Sequence, residues 1–322
     1  MSEPLEIACL EEFWASHTGN GPPLDEMVGK LLLDTLGLGN QQVFEQLYLV
    51  KPDYAGFVQW IIETAGQPDP RLVDRYHAWL YDMPPGEEAK AQLDAVAAMP
   101  DVLDAAALAY WDEHGYVVLP DAISADEIDA VKALLWQTIG ASPDDPESWY
   151  RARTNGIMVP HFQGPALEAA RRSPRVHKAF AQLWGSENLW VLIDRMGFNP
   201  PERLGHSFSG SDIHWDASLV QPIPFHTQAV LYLSDTAEDQ GAFRCVPGFH
   251  KRIDDWLASL DGANPREADL SAGVKHVAGR AGDLIIWRQD LPHAASPNRS
   301  DKPRLAQYLT YYSPDMVIRP WR

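Results

Sequence analysis

The chain has 322 residues, 45% of them hydrophobic and 12 of them tryptophan, enough to bury a sizeable core. Its 26 basic and 45 acidic residues give a formal charge of −19, a field that repels polyanions and argues against nucleic-acid binding without a strong local basic patch. Only Cys9 and Cys245 are present, which excludes a disulfide framework and fits a reducing cytosol.

No apolar run approaches the roughly 20 residues that span a bilayer, so no membrane association is expected. The start, "MSEPLEIACLEEF", is acidic and has no basic n-region, so a cytoplasmic protein without a secretory signal is expected. Two short basic stretches, "ARRSPRVHK" (170–178) and "HKR" (250–252), read as solvated helix and loop surface.

Residues 1–105 read as a helical N-terminal extension. "LDEMVGKLLLDTLGL", "QQVFEQLYLV", "YAGFVQWIIETAG", "RLVDRYHAWLYDM" and "EAKAQLDAVAAM" carry apolar residues at three- and four-residue intervals, and "GNGPP", "QPDP" and "MPPGE" separate them. No chemical constellation stands out there. Packing on the rest of the chain, or a homo-oligomer contact, is the role this predicts.

From 106 to 322 the pattern changes to strands. "HGYVVLPDAIS" is β-like and ends in a turn; Ser124 and Glu127 have capping-box spacing ahead of the amphipathic "EIDAVKALLWQTIG". "ENLWVLIDRMGF" (187–198), "QAVLYLS" (228–234), "GAFRCVP" (241–247), "GDLIIWR" (282–288) and "RLAQYLTYY" (304–312) are short, aliphatic and aromatic, and bounded by Gly, Pro and Asp turns. Many short strands with long connections predict a mainly β core with helices, closed as a jelly roll or cupin.

Within it, "GSDIHWDASLV" (210–220) holds His214 and Asp216 two residues apart. On a strand such side chains project to one face, offering an imidazole and a carboxylate to a metal. Two histidines and one carboxylate leave open positions on an octahedral ion, the arrangement of non-haem Fe(II) oxygenases. Eleven histidines compete for the third place. His293 is preferred because it stands where the strand of "AGDLIIWRQDLPHAASPN" gives way to a loop; His226 and His250 have a weaker claim. Trp215, between the two ligands, should face away into packing. Arg304, eleven residues after His293, opens the next strand, and its guanidinium suits a bidentate grip on a dicarboxylate such as 2-oxoglutarate.

With these residues in place, the sequence resembles the phytanoyl-CoA dioxygenase-like family of Fe(II)/2-oxoglutarate oxygenases. The likeness runs from "AYWDEHGYVVLPDAISADEIDAV" (109–131) through "LYLSDTAEDQGAFRCVPGFHK" (231–251) to "PHAASPNRSDKPRLAQY" (292–308). The resemblance implies a double-stranded β-helix, with His214, Asp216 and His293 as iron ligands and Arg304 as anchor for the distal carboxylate of 2-oxoglutarate. It also implies O₂ as the second co-substrate and succinate and CO₂ as products. Asp216 favours hydroxylation over halogenation, because related halogenases carry a small residue there.

Two departures stand out. Many relatives carry a hydroxyl residue two positions after the arginine, where this chain has Ala306, so Gln228 or Tyr232 on a neighbouring strand is expected to contact 2-oxoglutarate. The long helical N-terminus is the other. Candidate substrate-binding residues are His161, Gln163, Asn199 and His206, from loops predicted near the site. A small-molecule metabolite or natural-product intermediate is the expected substrate, because no large basic patch for coenzyme A is evident. A zinc-dependent cupin hydrolase or isomerase, and a non-catalytic binding protein on the same scaffold, remain the alternatives.

Overall fold

The computed structural model describes residues 5–321. Six helices come first: α1 (Leu10–Thr18), α2 (Glu26–Thr35), α3 (Asn40–Glu45), α4 (Tyr54–Ala65), α5 (Pro70–Leu80) and α6 (Glu87–Ala98). Their starts are set locally. Asp25 accepts the N–H groups of Met27 and Val28, Asp53 caps α4 and Asp69 caps α5, where Pro70 sits in the first turn without forfeiting a hydrogen bond. α3 runs on into one π-helical turn over Gln46–Val50, which leaves Leu49 and Val50 exposed.

α7 (Ala105–His114) leads to β1 (Tyr116–Leu119) and α8 (Ala125–Ile139). The expected capping box forms: Ser124 Oγ accepts the Glu127 N–H, and a Glu127 carboxylate oxygen accepts the Ser124 N–H at 2.7 Å. After β2 (Met158–Val159) come two helices, α9 (Pro165–Arg171) and α10 (Pro174–Trp184). The basic stretch 170–178 lies on them, and its reading as solvated surface is corrected for two residues. Arg171 is 1% exposed, paired with Glu168 and donating to the Asp194 carbonyl, and Lys178 is buried against the Ala97 carbonyl.

The remaining elements are β3 (Trp190–Leu192), β4 (Met196–Asn199), β5 (Thr227–Tyr232), β6 (Phe243–Cys245), α11 (Ile253–Ser259), β7 (Lys275–Val277), β8 (Leu284–Arg288), β9 (His293–Ala295), β10 (Arg304–Tyr308) and β11 (Thr310–Tyr312). The stretches 187–198 and 304–312 are each two strands rather than one, so β3 and β11 leave the main sheet and pair with each other.

The sheet pairings are antiparallel: six strands in the order β1-β8-β5-β10-β4-β2, three in the order β7-β6-β9, and the β11-β3 pair. Alternation along β5 places the layers. Ala229 and Leu231 face a core shared with Ile128, Val131 and Leu135 of α8 and Phe180 of α10. Val230 and Tyr232 face the three-stranded sheet, packing with Phe243, Cys245 and Val277. The fold is thus a mixed helix/sheet architecture with two facing antiparallel sheets, consistent with a jelly-roll core.

The N-terminal helices are joined to this core. Leu31, Phe57, Ile61 and Tyr76 form one buried cluster with Trp190 of β3 and Tyr312 of β11. Buried Asp34 of α2 accepts the Ile193 N–H at 3.2 Å and the Tyr312 hydroxyl. Among the described residues, no helix is long and apolar enough to cross a membrane.

Candidate active site

His214 is not on a regular strand, as the spacing argument assumed. It makes a single bridge to His293, each residue donating its N–H to the other's carbonyl at 3.0 and 2.9 Å. His293 opens β9, rather than ending a strand, and Cys245 of β6 pairs with it. The bridge turns both rings toward one point, with centroids 5.0 Å apart.

Each imidazole is oriented by its own chain. His214 Nδ1 lies 2.6 Å from the Asp212 carbonyl and His293 Nδ1 lies 3.0 Å from that of Leu291. A carbonyl only accepts, so Nδ1 carries the hydrogen and Nε2 faces the cluster as a free donor atom for a metal. The two Nε2 atoms stand 3.3 and 3.4 Å from the two oxygens of Asp216. One ligand atom from each residue falls within 4.8 Å of the others. Burial pushes the Asp216 carboxyl upward, but without a metal the imidazoles can protonate at Nε2 as well, and their hydrogen bonds then outweigh burial and hold the group well below the usual carboxylate range. The hydrogen bond to Asp216 in turn raises His214.

The loop between the ligands is held from outside. Trp215 is 2% exposed, points away from the cluster as expected, and donates its indole N–H to the Asp290 carbonyl at 3.1 Å. Arg266, which the sequence reading passed over, grips both sides of this loop, donating to the carbonyls of Trp215 and Ala217 at 3.0 and 2.6 Å.

The cluster opens into a cavity of about 560 Å³ that also contains Arg304, Gln228, Tyr308 and Thr310. Arg304 is 1% exposed, yet its Nε and Nη2 have no hydrogen-bond partner among the described residues. A buried guanidinium lacking an acceptor is strongly disfavoured. A carboxylate entering this cavity satisfies it. Gly197, across the sheet on β4, makes the room: a Cβ there would lie 3.3 Å from Arg304 Nη2 and 3.2 Å from the Tyr308 ring.

The two expected helpers of Arg304 differ in placement. Gln228 lines the cavity, but its side-chain N–H donates to Asp216 Oδ2 at 3.0 Å and its carbonyl accepts from Trp287 at 3.2 Å. Tyr232 is fully buried outside the lining, its hydroxyl donating to the Val277 carbonyl and accepting the Phe243 N–H. Tyr308, on the Arg304 face of β10, brings a hydroxyl to the cavity that parity from Arg304 would have identified.

The four candidate substrate contacts are absent from the cavity lining. Gln163 donates to the Gly37 carbonyl and to Gln42, tying α3 to the sheet domain. Asn199 is buried and donates to the Ser296 carbonyl, and His206 stacks edge-on against Tyr150 at 5.0 Å. His161 is lowered by burial, and its Nε2 is buried without a hydrogen-bond partner among the described residues. Asn155, Asp194, Arg195, Ser209 and Ser211 supply polar lining instead.

With this geometry in view, comparison with known proteins finds that a family model for phytanoyl-CoA dioxygenase (PhyH) matches residues 111–306. A putative phytanoyl-CoA dioxygenase of Dictyostelium discoideum is 21% identical, covering 65% of this chain and 75% of the relative. An ectoine dioxygenase of Bordetella bronchiseptica is 22% identical, covering 68% and 79%. Among solved structures, the α-ketoglutarate-dependent epimerase SnoN from nogalamycin biosynthesis shares the fold at TM-score 0.50 and 20% identity, over 72% of this chain and 84% of that one. HygX from Streptomyces hygroscopicus, solved with nickel and 2-oxoglutarate, does so at TM-score 0.50 and 18% identity, over 66% and 88%. The matched family region takes in the His214–Asp216–His293 cluster and Arg304 and spans more than half of the sequence, so the chain belongs to the phytanoyl-CoA dioxygenase (PhyH) family.

Proposed function

We propose that the chain is an Fe(II)- and 2-oxoglutarate-dependent dioxygenase, with His214, Asp216 and His293 as the iron ligands and Arg304 as the 2-oxoglutarate anchor. The observation that carries this reading is the buried, acceptor-less guanidinium of Arg304 in the same cavity as the cluster. Two imidazole nitrogens and one carboxylate fit Fe(II) and leave positions open for an exchangeable chelate. Bound there, the metal with 2-oxoglutarate and O₂ supplies an oxidation that releases succinate and CO₂. The chain's own part is to fix the ligands, neutralise the distal carboxylate with Arg304 and keep water from the reacting carbon. A zinc hydrolase using the same ligands has no use for a second buried cation across the cavity.

The prime substrate in this reading is a small metabolite or natural-product intermediate, hydroxylated at an unactivated C–H bond. Residues 106–322 serve as a double-stranded β-helix oxygenase domain and residues 1–105 as its helical extension. Exposed Tyr48, Leu49 and Val50 offer the extension an apolar patch for a homo-oligomer contact.

The test is 2-oxoglutarate turnover without prime substrate. Wild-type protein with Fe(II) is expected to consume O₂ and form succinate, and His214→Ala and Asp216→Ala to abolish both. Undiminished succinate formation in either variant, or equal turnover with zinc under anaerobic conditions, defeats the assignment.

A further inference from the structure

Asp216 borders two cavities. Besides the one containing Arg304, it lines a second of about 590 Å³, walled by α1, α2, the residues preceding β5 and the segment after β11. Its size falls within the range of metabolite pockets. Its walls come largely from parts of the chain outside the matched family region, among them Phe13, Lys30, Phe44, Ile318 and Arg319. The C-terminal wall is fastened in place: Ser218 donates to the Pro320 carbonyl at 2.7 Å, and His226 Nε2 lies 3.1 Å from that of Val317.

Two cations line this cavity, and neither has a hydrogen-bond acceptor among the described residues. Arg319 Nε is buried without a hydrogen-bond partner among the described residues. Lys30 Nζ sits 4.1 Å above the Tyr312 ring and makes no hydrogen bond or ion pair among the described residues. Burial lowers the Lys30 ammonium, partly offset by the charges of Asp34, Asp194 and Glu26. Among the described residues, the acids at the mouth make no hydrogen bond or ion pair with either cation, and Glu26 acts on Lys30 only through its charge. Asp25 is occupied capping α2, and Glu26 is exposed at the first turn of that helix. The rest of the lining is mixed: Phe13, Leu33, Phe44 and Ile318 form an apolar strip, and His17, Asn40, Ser218, His226 and Gln289 are polar.

We propose that this second cavity receives the prime substrate, and that the substrate is an amphipathic organic anion. Lys30 and Arg319 hold its carboxylate or phosphonate, and its apolar carbon body lies along the phenylalanines toward Asp216. The helical N-terminus is then part of the substrate-binding wall and sets specificity through charge and length. This inference rests on the oxygenase reading for which end of the ligand is oxidised, but not for the binding itself.

The probe pair is hexanoate and its uncharged match hexan-1-ol, measured by calorimetry on full-length protein carrying Arg304→Met, so that the 2-oxoglutarate anchor cannot hold the carboxylate. Hexanoate is expected to bind at least tenfold more tightly than hexan-1-ol. Adding Lys30→Met and Arg319→Met should erase that preference, whereas adding Lys30→Arg and Arg319→Lys should keep it, which separates charge from folding. Equal binding of the two probes, or a preference that survives both methionine substitutions, overturns the proposal. The visible band of Fe(II) with 2-oxoglutarate in wild-type protein reports on the oxygenase reading separately: its absence leaves the calorimetric result standing.

Discussion

Gln228 donates its side-chain amide to Asp216 Oδ2 at 3.0 Å, the same oxygen that lies 3.4 Å from His293 Nε2. A carboxylate bound to a metal through one oxygen keeps its orientation only if its free lone pairs are held, and here Gln228 holds them, itself oriented by Trp287. Gln228 is a positioning residue for the cluster. Gln228→Leu is expected to weaken Fe(II) binding by roughly 10- to 100-fold. Gln228→Glu should be worse, because it sets a second carboxylate against Asp216. Anaerobic Fe(II) titration checks the order, and equal affinity in all three proteins contradicts the role.

Arg266 acts on the same loop from behind. Its two hydrogen bonds to the Trp215 and Ala217 carbonyls fix the backbone on both sides of Asp216. Hydrogen bonds from a charged donor contribute about 1.5–3 kcal/mol each, less where solvent reaches them. Arg266→Ala should speed hydrogen exchange at residues 214–217 and weaken Fe(II) binding while the sheets keep their protection. Unchanged exchange in that loop would remove the clamp from the account.

Gly197 tests the co-substrate end alone. Gly197→Ala introduces a methyl 3.2–3.3 Å from the Tyr308 ring and Arg304 Nη2, closer than either group tolerates without shifting. The 2-oxoglutarate requirement should rise several-fold with Fe(II) affinity unchanged. A parallel loss of Fe(II) affinity would show that the two ends of the cavity are not independent.

Asp34 supplies a pH dependence. Burial raises its carboxyl to about 6 from 3.8, against opposing interactions with Lys30 and Tyr312. The folded state therefore holds this proton more tightly than the unfolded chain. Between pH 3.8 and about 6 the unfolded state ionises first, so this group's contribution to stability falls as pH rises and levels off above about 6. The shift corresponds to on the order of 3 kcal/mol. Asp34→Asn lacks this term, so its melting temperature relative to wild type should improve from pH 4 to pH 7. A constant difference across that range contradicts the assignment.

The cluster was legible because its parts are close in sequence or carry local context. His214 and Asp216 are two residues apart, and His293 and Arg304 flank recognisable strand signals. The reason for their convergence was not legible, since it is a single bridge between His214 and His293 rather than a strand. Parity along β5 correctly put Gln228, Val230 and Tyr232 on one face, but parity says nothing about which hydrogen bonds a side chain has already made. Gln163 and Asn199 were read as facing substrate for the same reason: a polar residue in a glycine- or proline-rich loop looks alike whether it meets a ligand or a carbonyl across the fold. The helices of the first hundred residues were visible in their apolar spacing, and their cavity-facing residues were not, because that wall forms only when α1 and α2 meet the segment after β11.

The central claim is that His214, Asp216, His293 and Arg304 form one Fe(II)–2-oxoglutarate site. The most direct measurement is anaerobic visible spectroscopy, adding Fe(II) and then 2-oxoglutarate to the full chain. A saturable charge-transfer band is expected in wild type. It should be lost in His293→Ala and shifted to much higher 2-oxoglutarate in Arg304→Met. No band in the wild-type protein, or an unaltered band in His293→Ala, would contradict the account.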